Sequence, residues 1–140
     1  MSMMWEPRVE VMQEYHAPIL AVAQLAGCDT TQSIVGAFRY MGYNGTKAMC
    51  VVDMKETLYV AEPHVIWFPW CPPRLRMKGF KWLVTELAKH KEVFLAVLKA
   101  DNNLHEHYVK NEFIRKIGVL DNLPEEAGQE IHFYQYKRSK

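Results

Sequence analysis

The strongest constraint on this chain lies at residues 64–88, where a β-rich run, HVIWFPW, meets prolines and then a helical repeat. Pro69, Pro72 and Pro73 have no N–H to give a ladder, so the strand has to stop and the chain has to turn. Beyond them Phe80, Leu83, Val84, Leu87 and Ala88 recur at i, i+3, i+4, i+7 and i+8, which predicts an amphipathic helix beginning near Lys78. A strand feeding such a helix excludes an all-β chain and an all-α chain alike.

The remaining elements follow in order. Residues 8–12 alternate as a first strand, and Pro18 and Gly27 bracket a helix through Leu20 and Leu25. Asp29, Thr30 or Thr31 is placed to cap a second helix with Ile34, Val35, Phe38 and Met41 on one face, closed by Gly42. AMCVVDM, TLYVAE and HVIWFPW then read as consecutive antiparallel strands, separated by Lys55-Glu56 and Glu62-Pro63. Residues 93–98 are apolar on both faces, as an internal strand is; residues 104–117 suit a helix ended by Gly118; residues 131–136 form a closing strand. The prediction is an α+β fold, a central mostly antiparallel sheet with about four helices. With no repeat, low-complexity tract or linker, residues 1–140 are expected to form a single domain.

Composition narrows the function. Seventeen Lys and Arg against sixteen Asp and Glu leave a charge of +1, too little field to draw nucleic acid or an anionic membrane. The first residues lack a signal-peptide pattern, and no apolar run approaches the roughly 20 residues that cross a bilayer. A soluble cytoplasmic protein with no nucleic-acid and no membrane partner is expected. Cys28, Cys50 and Cys71 are odd in number and make no C-x-x-C pair, which fits small buried hydrophobes in a reducing compartment. No metal site is expected: His105 and His107 flank Glu106, but i and i+2 on a helix diverge by about 200°. The tryptophans of the WFPW run read as core or cleft wall.

The predicted helix start is where chemistry concentrates. First-turn N–H groups lack partners within a helix and sit at its positive end, a natural cradle for phosphate. Arg74, Arg76, Lys78 and Lys81 add charge there, and Gly79 removes a Cβ where a pyrophosphate would need close approach. The plainer alternative is a basic helix start that meets only solvent.

A strand running into Arg76-Met77-Lys78-Gly79-Phe80-Lys81, then an amphipathic helix, a buried strand, an Asn-containing turn, a helix and closing strands, resembles the GNAT superfamily of acyl-CoA-dependent N-acetyltransferases. That family's loop reads Gln or Arg, two residues, Gly, one residue, then Gly or Ala. Arg76 and Gly79 fit the first two fixed positions, Lys81 departs from the third, and Met77 replaces the usual extra glycine. Residues 113–118, followed by an acidic hairpin and a last strand, are similar to a segment of the short GNAT-like proteins of tailed podophages. Some of those are linked with virions or with host takeover.

The resemblance implies acetyl-CoA as donor and a primary amine as acceptor, on a host protein if the chain is phage-encoded, acting in the host cytoplasm or carried in the virion. It implies that backbone groups near Trp67 and Phe68 bond the pantetheine arm. Arg74, Arg76, Met77, Lys78, Gly79, Phe80 and Lys81 would hold the pyrophosphate, with Asn102 and Asn103 also contacting the cofactor. His64 or Glu62 would be the general base and Tyr108 the acid. The Tyr108 role depends on register. In one, Tyr108 and Phe113 match the family's Tyr-Glu-Lys-Leu-Gly-Phe pattern with Glu112 in the glycine's place; in the other, Gly118 is that glycine and Ile114 replaces the tyrosine. The podophage similarity favours the second. The rival reading is a catalytically silent GNAT-like binding module, and a homodimer burying the WFPW surface is a third.

Overall fold

The computed structural model describes residues 5–30, 36–121 and 130–137. Contacts divide the chain into two compact units, Met1–Lys55 with Pro63–Thr85, and Glu56–Glu62 with Glu86–Lys140. In the first, strands β1 (Pro7–Val11), β2 (Phe38–Asn44), β3 (Lys47–Glu56) and β4 (Val60–Trp67) follow one another in hydrogen-bonded order, with helices α1 (Ala17–Leu25) and α2 (Pro73–Ala88). In the second, the order runs on from the start of β4 to β5 (Glu92–Leu98), then β7 (Ile131–Tyr136), then β6 (Ile114–Leu120), and helix α3 (Asn103–Lys110) lies between β5 and β6 in sequence. The β1–β2, β2–β3, β5–β7 and β6–β7 pairs are antiparallel and the β4–β5 pair is parallel, so the fold is α+β with a mostly antiparallel sheet.

Three expectations are corrected. Phe38 and Met41, read as one helix face, belong to strand β2, where Met41 and Tyr43 alternate inward onto Ala23, Val51 and Phe68. Gly42 closes no helix; it lies opposite Cys50, whose Sγ would stand 2.4 Å from any added Cβ. Ile34, Val35 and Thr31 fall outside the described residues. Second, the helix read over residues 104–117 ends at Lys110, and residues 114–120 form β6, with Gly118 at a register shift against β7. The helix stops because Glu112 takes a left-handed φ of 60°. Third, TLYVAE and HVIWFPW make one strand, not two. Leu58 and Tyr59 turn in the open, and the chain from Val60 to Trp67 runs through Pro63.

The Thr57 N–H bonds the Val60 carbonyl at 2.8 Å and the Phe68 N–H bonds the Met49 carbonyl at 2.9 Å. Among the described residues the parallel pairing of β4 with β5 comprises Val60↔Glu92 and Ala61↔Val93.

Buried polar groups are anchored. His16, fully buried, accepts the Gln13 N–H at Nδ1 (2.8 Å), so Nε2 carries the hydrogen and donates to Glu10 at 3.2 Å. That bond, ahead of Arg8, holds the Glu10 carboxyl below its ordinary value of 4.5. A carboxyl whose folded value is lowered stabilises the fold above its unfolded value, and the contribution disappears as pH falls through the folded value. The urea midpoint should therefore drop on acidification below pH 4.5, and Glu10→Gln should flatten that part of the profile; equal slopes in both proteins would contradict this role.

Candidate functional site

The structure sorts the predicted site residues by unit. In the first, α2 starts at Pro73, earlier than the expected Lys78, because proline sits well at a first helical position and Leu75 extends the buried face backward. Arg76, Met77, Lys78, Gly79, Phe80 and Lys81 consequently lie within the helix instead of at its opening. Pro73 brings no N–H, and those of Leu75 and Arg76 already meet the Pro72 carbonyl at 3.0 and 3.1 Å. Only the amide of Arg74 in this turn is not engaged that way.

Arg76 turns back to bind the loop before α2: Nε donates to the Cys71 carbonyl at 2.9 Å and Nη2 to that of Phe68 at 3.2 Å. Gly79 makes room for an indole, since a Cβ there would stand 2.9 Å from Trp67. Lys78 Nζ lies 5.9 Å from the Trp5 ring centre; Arg74 and Lys81 are exposed and Phe80 is buried. Next to these residues is an apolar cleft, partly open to solvent, walled by Trp5, Trp67, Trp82, Met49, Leu75 and Leu83. The WFPW run thus supplies both core and cleft: Phe68 is wholly buried, while Trp67 lines the hollow and Trp70 donates to the Ala48 carbonyl at 2.7 Å.

On β4, His64 is exposed and Glu62 half-buried. The Phe68 backbone is engaged, its N–H with the Met49 carbonyl and its carbonyl with Arg76. Burial chiefly raises all three thiols, that of Cys50 to about 12, which keeps them protonated and unreactive.

In the second unit, Phe113 packs edge-on against Tyr108, with ring centres 5.4 Å apart, and its N–H bonds the Tyr108 carbonyl at 2.9 Å. Glu112, between them and with φ of 60°, takes the conformation that a glycine would supply. Gly118 lies in strand β6. Tyr108 is fully buried, and desolvation pushes its phenol up to about 12, so it holds its proton at neutral pH.

Asn102 faces inward. Its Nδ2 lies 3.3 Å from Glu106 Oε1, 3.3 Å from His132 Nδ1 and 3.4 Å from the Tyr134 hydroxyl, and Tyr134 donates to Glu106 at 2.9 Å. His132 in turn meets Glu130 at 3.0 Å. Asn103, next in sequence, is exposed. His105 stacks on Tyr134 at 5.3 Å and His107 bonds Asn111 at 3.0 Å, so the two histidines of α3 serve different neighbours.

No protein-family model matches the sequence, and no curated protein matches it. Solved structures do. The chain is similar to a ribosomal L7/L12 alpha-N-protein acetyltransferase, with 12% identity, TM-score 0.68, and 99% of this chain and 98% of the other covered. It is also similar to the ribosomal-protein-S18-alanine N-acetyltransferase of Escherichia coli, with 10% identity, TM-score 0.63, and 96% of each chain covered. For the spermidine/spermine N-acetyltransferase SpeG of Vibrio cholerae the values are 10%, 0.64, and 93% and 91%. Over nearly its whole length the chain therefore has the GNAT fold. Among the described residues no helix is long and apolar enough to cross a membrane.

Glu112→Gly should stabilise the chain by about 0.5–1 kcal/mol, because it relieves a left-handed non-glycine residue. A thermal melt checks this, and a lowered midpoint would show that the Glu112 side chain contributes more than its backbone costs.

Proposed function

We propose that this chain is an N-acetyltransferase that moves an acetyl group from acetyl-CoA to a primary amine. The observation that carries the reading is the α3 turn, in which Glu112 takes a glycine-like conformation and Phe113 packs on Tyr108; we read Tyr108 as the tyrosine of the family pattern. The fold alone would not suffice, since one fold serves many activities. Two of the similar structures are named for acetylating proteins, which supports a protein amine as acceptor. A bacterial host protein, met in the cytoplasm or from the virion, is the acceptor if the chain is phage-encoded. The helix assumed for residues 113–118 in that comparison is a strand, so the phage assignment rests on the order of elements.

The chemistry follows from the residues in hand. The amine nitrogen attacks the thioester carbonyl carbon, a C–N bond forms, the C–S bond breaks, and coenzyme A leaves as thiolate. His64, exposed on β4, or Glu62 takes the amine proton; Tyr108, still protonated at neutral pH, gives one to the thiolate. The backbone near Trp67 bonds the pantetheine arm. Arg74 and the exposed Lys78 and Lys81 are the cations of α2 that meet the pyrophosphate. Arg76 acts indirectly, by fixing the loop through the Cys71 and Phe68 carbonyls.

A specific observation favours the rival, a silent binding module. Arg76 and Gly79, the two residues that fit the family's loop, are occupied with the loop carbonyls and the Trp67 indole. Calorimetric titration separates the readings. Acetyl-CoA should bind at micromolar concentration; silence of both acetyl-CoA and coenzyme A at high micromolar ligand would overturn the transferase reading and favour the binding module. Where binding occurs, Arg74→Ala should weaken it by about 1.5–3 kcal/mol, whereas Arg76→Ala should also lower the thermal midpoint of the unliganded chain, because it frees the loop carbonyls. Tyr108→Phe should lower kcat about 100-fold with unchanged acetyl-CoA affinity, and an unaltered kcat would remove Tyr108 as the acid.

A further inference from the structure

Strand β1 stands at the end of the sheet order, with β2 as its one strand neighbour among the described residues. The pairing runs unshifted from Pro7↔Asn44 to Val11↔Tyr40. Bonds just past each end keep that register: the Gly45 N–H meets the Glu6 carbonyl at 2.8 Å, and the Met12 N–H meets that of Arg39 at 3.0 Å. Antiparallel bonds join directly opposed residues and alternate along a strand, so Glu6, Arg8, Glu10 and Met12 turn their backbone groups to β2. Pro7, Val9 and Val11 turn theirs to the open edge. Val9 and Val11 offer both N–H and C=O there, and Pro7 offers a carbonyl alone.

The side chains of this strand divide by face. Val9 and Val11 are exposed, Val11 at 57%, and Phe38, two residues from the Tyr40 that opposes Val11, shares their face at 65%. Pro7 and Val9 also run into the wall of the tryptophan-lined cleft. On the other face Arg8 and Glu10 meet each other at 3.1 Å, with 46% and 29% of their side chains exposed. An apolar edge with free backbone groups is a template for another strand.

The strand itself selects the partner. Outward-turned residues must meet outward-turned residues, so a second β1 running antiparallel has to centre on one residue of the strand. Centring on Arg8 or Glu10 sets like charges face to face. Centring on Pro7 leaves the middle without a donor, and centring on Val11 runs β1 against the Glu14–His16 turn. Centring on Val9 sets Arg8 against Glu10 of the second copy, and Glu10 against its Arg8, in the closely spaced non-hydrogen-bonded pairs. It asks of Pro7 only the carbonyl, which receives the Val11 N–H of the second copy.

We propose that β1 is a homodimer interface, in which two copies of this chain join antiparallel about Val9 into one continuous sheet. The interface is isologous, as a two-fold axis requires. Opposed residues share a face, so the clefts of both copies open on the same side of the joined sheet. The inference is independent of the acetyltransferase reading and uses a surface other than the WFPW run.

Sedimentation velocity of the full chain, from micromolar to millimolar concentration, should show a reversible monomer–dimer equilibrium. Val9→Pro removes an N–H that β2 does not use, and should weaken the dimer about tenfold or more. Arg8→Glu sets carboxylates against each other and should weaken it about tenfold. A monomer at every concentration, or a dimer indifferent to Val9→Pro, would overturn the proposal; a dimer weakened by Val9→Pro but indifferent to Arg8→Glu would overturn the register about Val9. Should Val9→Pro fail to fold, hydrogen exchange of the unaltered chain decides. The Val9 and Val11 amides should exchange more slowly as concentration rises, and rates independent of concentration at both would overturn the interface.

Discussion

The two bonds that Arg76 makes to the Cys71 and Phe68 carbonyls organise the first unit. They fix the loop between β4 and α2, where Phe68 is wholly buried and its N–H bonds the Met49 carbonyl of β3. The Trp67 indole, seated against Gly79, is held at the same joint and walls the apolar cleft.

The segment that follows shows how a sequence pattern and a structural role come apart. Arg76 and Gly79 have the spacing of a phosphate loop, yet Pro73 begins the helix early and carries them inside it. There the guanidinium serves as internal scaffolding for two carbonyls, and the glycine serves as a seat for an indole. After α3 the opposite holds: Glu112 lacks a glycine's freedom, yet its backbone takes the left-handed turn that ends the helix.

How much was legible in the sequence follows from the same physics. β5 and β7 were readable because burial of both faces, or strict alternation, leaves no rival period over six or seven residues. β2 was not, because Phe38 and Met41 are three apart and Gly42 imitates a helix stop; the pairing with Cys50 that explains the glycine is a contact between strands. β6 was missed because Ile114 and Ile117 continue a helical spacing, and the left-handed turn at Glu112 carries no glycine to announce it. The bond of Asp53 to Arg39 was not legible either, since it joins neighbouring strands 14 residues apart in the chain.

The fit between Gly42 and Cys50 has a practical consequence. The thiol lies where any side chain on β2 would collide with it, 6% exposed and firmly protonated. An alkylating reagent can reach it only when the two strands part, so its rate of labelling would serve as a built-in clock for the opening of this half of the molecule.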